Sequence, residues 1–193
     1  MTTFLPPTYE VPTSGNYTKL QDGANKIIIL ASAILGYEYW NHDNKPVRLQ
    51  AMPTVTPSDI KVDDDGKRST VRHFWAFPVW NYKTKKVEIL EITQKGIMGA
   101  LQTLARSEEW GDPILTYSLT INRSGSGFDT EYNVLPNPKL ELPADIGDAW
   151  AKVKSTGFNL NALFAGADPF AGGAEVVVDR DAQADPTETQ VPA

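Results

Sequence analysis

Hydrophobic and polar residues alternate along several stretches of this chain, and a two-residue period predicts β-strands. Leu115, Tyr117, Leu119 and Ile121 alternate with Thr116, Ser118, Thr120 and Asn122, the clearest half-buried strand in the sequence. Thr130 to Leu135 alternates again through Tyr132 and Val134, after an Arg123-Ser-Gly-Ser-Gly127 loop. Upstream, an Asp22-Gly23 turn precedes a β-rich run from Lys26 to Ile34. Gly36 interrupts that run and Tyr37-Glu38-Tyr39-Trp40 resumes it, the pattern of a long strand bent at a glycine. Val71 to Tyr82 is dominated by aromatic and β-branched residues; Lys83-Thr84-Lys85 makes a turn, and Lys86 to Thr93 returns. Pro78 inside this run predicts an edge position or a bulge. Tyr17 to Leu20 reads as a further short strand.

A 3.6-residue period appears twice. Ile97, Leu101 and Leu104, with Ala100 beside them, predict a helix over Gln94 to Arg106. Ile146, Trp150 and Val153 predict a second over Ala144 to Lys154. The Pro- and Thr-rich residues 1–15 read as an extended arm, 16–164 as the folded domain, and 165–193 as a disordered tail. Residues 41–70 form a loop with Pro46, Pro53, Pro57 and an Asp63-Asp64-Asp65-Gly66 turn; a loop of this length in a compact domain is functional or disordered.

The order is therefore strand, long loop, strand, strand, helix, strand, strand. That is the order of the OB-fold, a mainly β, five-stranded Greek-key barrel with its helix between strands three and four. The second predicted helix and the acidic tail would follow the barrel.

Composition changes this picture mainly by exclusion. Of 193 residues, none is Cys and two are His, which removes disulfide scaffolds, Cys-ligated metals and His-rich metal sites. The longest apolar runs are of strand length, and the N-terminus has no basic region leading into an apolar stretch, so neither a membrane span nor a signal peptide is expected. No cofactor is expected either. The net charge of −6 argues against a polyanion partner if taken alone. Its distribution is uneven: residues 175–193 hold five acids and one base. The twenty residues from Lys67 to Lys86 hold six bases, no acid and six aromatic or His side chains around Trp75. Single-stranded nucleic acid needs this mixture, with cations for phosphates and aromatic faces for bases. A buried strand with aromatic core residues and a charged turn fits the same window. Parity puts Trp75, Phe77 and Val79 on one face and Arg72, Phe74, Trp80 and Tyr82 on the other, so both faces are core only if each is covered.

Other motifs carry less. Arg123 to Gly127 lacks the end of a Walker loop and reads as a permissive turn. The Asp63–Gly66 run lacks calcium-loop spacing and reads as a solvated hairpin tip. Asp168-Pro169-Phe170 faintly echoes the acidic-Pro-Phe tip of bacterial single-strand binding proteins, but lies inside the chain.

Several blocks together resemble a tailed-bacteriophage single-stranded DNA-binding protein family. They are Gly15-Asn16-Tyr17, Asp22 to Lys26, Ile34 to Trp40, His73 to Phe77, Val79 to Tyr82, Ile89 to Lys95, Glu109 to Pro113, Thr130 to Tyr132 and Pro136 to Lys139. The resemblance implies a non-enzymatic OB-fold replication protein that coats single strands in the cytoplasm of an infected bacterial host. The expected phosphate contacts are Lys45, Arg48, Lys67, Arg68, Arg72, Lys83, Lys86 and Arg123. The expected stacking residues are Tyr39, Trp40, Phe74, Trp80 and Tyr82. Replication proteins are the expected partners of the acidic tail. A protein-interaction module of a replisome or virion, using the same barrel, is the alternative reading.

Overall fold

Consecutive β-branched residues favour extended backbone, and Ile27, Ile28 and Ile29 find cover on both faces of their strand. In the computed structural model, which describes residues 15–172, they end strand β1 (Gly23–Ile29). After the bend at Leu30–Ala33 come β2 (Ile34–Trp40), β3 (Pro46–Leu49), β4 (Arg72–Asn81) and β5 (Lys86–Ile92). Helix α1 (Lys95–Arg106), β6 (Ser118–Ser124), β7 (Glu131–Pro136) and α2 (Ala144–Ser155) follow. Short 3-10 helices cover Gly127–Asp129 and Leu160–Ala165.

The described residues are mainly β, and their seven strands form one antiparallel sheet in the order β3-β2-β4-β1-β6-β7, with β5 on the other edge of β4. The expected long first strand is present as β1 and β2. Its break falls at Leu30–Ala33 and not at Gly36, through which β2 runs unbroken. Gly36 is needed for close approach instead: a Cβ there would lie 2.5 Å from the Leu49 carbonyl and 2.9 Å from the Phe74 ring. β3, inside the predicted loop, is an addition to the expected set. The sheet is open, since no pairing joins β5 to β7 among the described residues, and α1 packs against β7.

Pro78 sits inside β4 at the break between β1 and β2. β2 pairs with residues up to Ala76 and β1 begins at Val79. Leu30 N–H donates to the Pro78 carbonyl at 2.9 Å. The Pro78–Ile89 pair with β5 makes no mutual bonds, because Ile89 exchanges its hydrogen bonds with Asn16 and Thr18 on the outer edge. Neither side asks Pro78 for an N–H, so no bulge is needed. The predicted short strand at Tyr17 is this parallel contact to Ile89, which closes the outer edge of β5.

Both faces of β4 are covered beyond its first residues, Arg72 and His73, which are exposed. Phe77 and Val79 join Ile27, Ile29, Tyr117, Leu119 and Ile121 beneath α1. On the opposite face, Trp80 packs with Ile28, Leu30 and the α2 residues Ile146 and Trp150. Phe74 and Ala76 pack with Leu160 and Leu163. The expectation of disorder from residue 165 is corrected for 165–172: the Phe170 ring lies 5.0 Å from that of Phe158 and Asn159 N–H donates to the Pro169 carbonyl. The Asp168-Pro169-Phe170 run is therefore packing here. Small residues around Phe170 conceal that role in the sequence. The predicted acidic end, 173–193, lies outside the described residues, as does 1–14 of the expected arm.

Candidate nucleic-acid interface

The 41–70 loop has internal structure. Asn41 Oδ1 accepts from the N–H groups of Asp43 and Lys45, which tightens the turn into β3. The chain then returns beside β2: His42 N–H donates to the Asp59 carbonyl, Lys61 N–H to that of Trp40, and Ile60 is buried. Residues 61–69 fold into a small hairpin through Asp63 N–H to Lys67 O and Ser69 N–H to Lys61 O, both 2.8 Å. Its tip is the exposed Asp63–Gly66 turn, where Gly66 has φ 76°. The hairpin swings Lys67 and Arg68 beside the end of β2.

The result is an open cleft of about 530 Å³ whose wall includes Trp40, Lys61, Lys67, Arg68 and Arg72. Trp40 is 47% exposed, which leaves ring surface free for contact. Asp63 also lines the cleft and stands 3.9 Å from Lys61 Nζ. Among the described residues, Lys67, Arg68 and Arg72 have no carboxylate within ion-pair distance. Four of the expected contacts, Trp40, Lys67, Arg68 and Arg72, thus meet in one place. Lys45 is exposed next to Asn44, another lining residue.

Other expected residues fall elsewhere. Arg48 points inward: its Nε donates to Glu91 Oε2 at 2.7 Å and its side chain is 8% exposed. It neutralises a half-buried carboxylate and so is not a phosphate contact here. Glu38 completes this cluster. Burial, then the neighbouring Glu91, push its carboxyl up to about 7, against the opposing pull of Arg48 and Arg72. Phe74 is fully buried and Trp80 nearly so, and neither presents a ring face to solvent; both are core. Tyr39 is also buried, with its hydroxyl donating to Asp59 at 2.9 Å. Tyr82 is half-buried with Lys26 Nζ 4.6 Å from its ring centroid. Arg123 is paired with Asp22. Lys83 and Lys86 are exposed at the β4–β5 turn, on the order of 30 Å from Arg72 along the ten residues of β4.

Sequence reasoning missed Lys61, Tyr37, His73 and Phe128 as surface groups. Phe128 stands fully exposed on the β6–β7 connection. Parity groups Trp75 with Phe77 and Val79, and Tyr37 with Leu35. It does not reveal that cover on that face thins at the partly buried Trp75 and is gone at His73.

Among the described residues, no three His, Asp or Glu side chains are grouped to hold a metal ion, and no helix is long and apolar enough to cross a membrane. No family model matches the chain, and neither curated proteins nor solved structures give a match.

Proposed function

We propose that the protein binds single-stranded DNA with little sequence preference, without catalysis, in the replication, recombination or repair of phage DNA. The observation that carries this reading is the cleft. It combines an exposed indole with Lys61, Lys67, Arg68 and Arg72, the pairing of stacking surface and cations that single strands require. The fold supports it through strand order. Taken as the two halves of one bent strand, β1 and β2 are followed by β4, β5, α1, β6 and β7 in the OB sequence, with β3 and the cleft hairpin inside the first long loop. In that frame α1 fills the gap between β5 and β7. The block resemblance points the same way. The acids of 175–193 act as a competing polyanion for the cleft, or as the part that replication proteins engage.

The test is a titration of labelled oligo-dT at several salt concentrations. Affinity should fall steeply as salt rises, with a log–log slope of about 0.7 per phosphate contacted. No binding at low salt overturns the reading and leaves the cleft and sheet to a protein partner.

A further inference from the structure

The face of β2 and β4 opposite the Phe74 core is open at its end. Leu35 stands across from Trp75 and Tyr37 across from His73. Leu35 is 54% exposed, His73 is exposed, and Tyr37 and Trp75 are partly covered. Tyr37 and His73 rings lie 5.2 Å apart. Trp75 Nε1 approaches His73 Nε2 at 3.0 Å, and His73 Nδ1 approaches the Gly36 carbonyl at 2.8 Å. An indole N–H only donates and a carbonyl only accepts. His73 Nε2 therefore accepts from the Trp75 indole while its Nδ1 faces the Gly36 carbonyl, which holds the ring in one orientation. Three aromatic groups are thus held in place by hydrogen bonds and contact at the surface.

This surface continues in two directions. Trp75 also walls an apolar groove of about 260 Å³, with Phe77, Leu101, Gln102 and Ile114. In the other direction, β5 ends its pairing at Trp75, so Arg72–Phe74 has no strand partner on that edge among the described residues. Arg72 of the cleft and His73 of the aromatic face are adjacent there. A backbone held at the cleft meets no strand in crossing this edge.

We propose that Tyr37, His73 and Trp75 form a track for unpaired nucleobases, and that the groove beyond Trp75 receives the apolar face of one base. The inference rests on the reading of the cleft as a single-strand site and extends its footprint. Rings held in place beside an exposed aliphatic neighbour suit planar bases, while the cleft cations suit phosphates.

The test compares oligo-dT with an abasic oligonucleotide of equal length, which keeps the phosphates and lacks the bases. Wild-type protein should prefer oligo-dT. Trp75→Ala with Tyr37→Ala should lower oligo-dT affinity about tenfold or more and leave abasic affinity unchanged. Trp75→Phe should retain most of the preference, and near-UV circular dichroism checks that each variant is folded. A misfolded double variant hands the decision to Tyr37→Ala alone, which should still reduce the preference severalfold. Equal affinity of the wild type for both oligonucleotides, or an unchanged preference in the variants, overturns the track. An unchanged preference in the variants leaves the cleft reading intact, with Trp40 as its stacking surface; equal wild-type affinity for both oligonucleotides removes base stacking from the cleft as well, and a wild type that binds neither overturns both readings.

Discussion

The two ends of β4 are alike in sequence and unlike in structure. Lys67 and Arg68 precede the strand and Arg72 opens it, while Lys83, Lys85 and Lys86 follow it. At the first end, a folded loop brings the bases around the exposed Trp40. At the other, the lysines project from a tight turn where Lys85 has φ 53°, and the nearby Tyr82 already carries Lys26 on its ring. Charge density along the chain is similar; only one end has walls. A basic run becomes a candidate site when other segments enclose it with aromatic surface.

The largest effect should come from separating these ends. Reversing charge with Arg68→Glu and Arg72→Glu should lower oligo-dT affinity about a hundredfold near 50 mM salt and flatten the salt slope by about 1.4. Lys83→Glu with Lys86→Glu should change affinity less than about threefold, since exposed charges at that distance are screened. Equal losses at both ends would break the comparison and extend the site along the whole strand.

Aromatic residues sharpen it next. Trp80→Ala should cost about 3–5 kcal/mol of stability in chemical denaturation, because the indole fills the space between β4 and α2. Trp40→Ala should cost under about 1 kcal/mol and weaken oligo-dT binding by roughly tenfold.

A pH effect belongs to the cleft end alone. The folded-state pKa of Glu38 is raised to about 7, above its unfolded value. Its protonated form is therefore favoured by folding, and that stabilising contribution is complete in acid and lost as pH rises through about 7. Melting temperature should fall between pH 6 and pH 8 in the wild type. Glu38→Gln should flatten that fall, and an unchanged profile would remove Glu38 as its source.

The smallest effect is expected from the far end of the chain. Removing residues 175–193, with five acids and one base, should strengthen oligo-dT binding a few-fold at low salt, measured by the same titration.

Elements with a strong period were legible from the residues alone: the predicted Gln94–Arg106 helix corresponds to α1, and Val71–Tyr82 to β4. Tertiary cover was not. Phe74 and Trp80 share parity with Arg72, so the alternation that identifies their strand cannot tell a stacking face from a core face. That distinction is made by α2 and the 3-10 helix Leu160–Ala165, which come well after β4 in the chain. Arg48 illustrates the same limit, since its partner Glu91 lies on another strand. The Trp40 cleft was legible as residues without being legible as a place. Loop hydrogen bonds such as Ser69 N–H to Lys61 O assemble it, and no local pattern announces them.

Oligo-dT affinity measured against salt, for the wild type and for the Arg68→Glu, Arg72→Glu variant side by side, addresses the central claim most directly. Binding that weakens steeply with salt in the wild type, and is largely lost with a shallower slope in the variant, is the expected result. A wild type that does not bind at low salt, or a variant that binds equally well, would contradict the account.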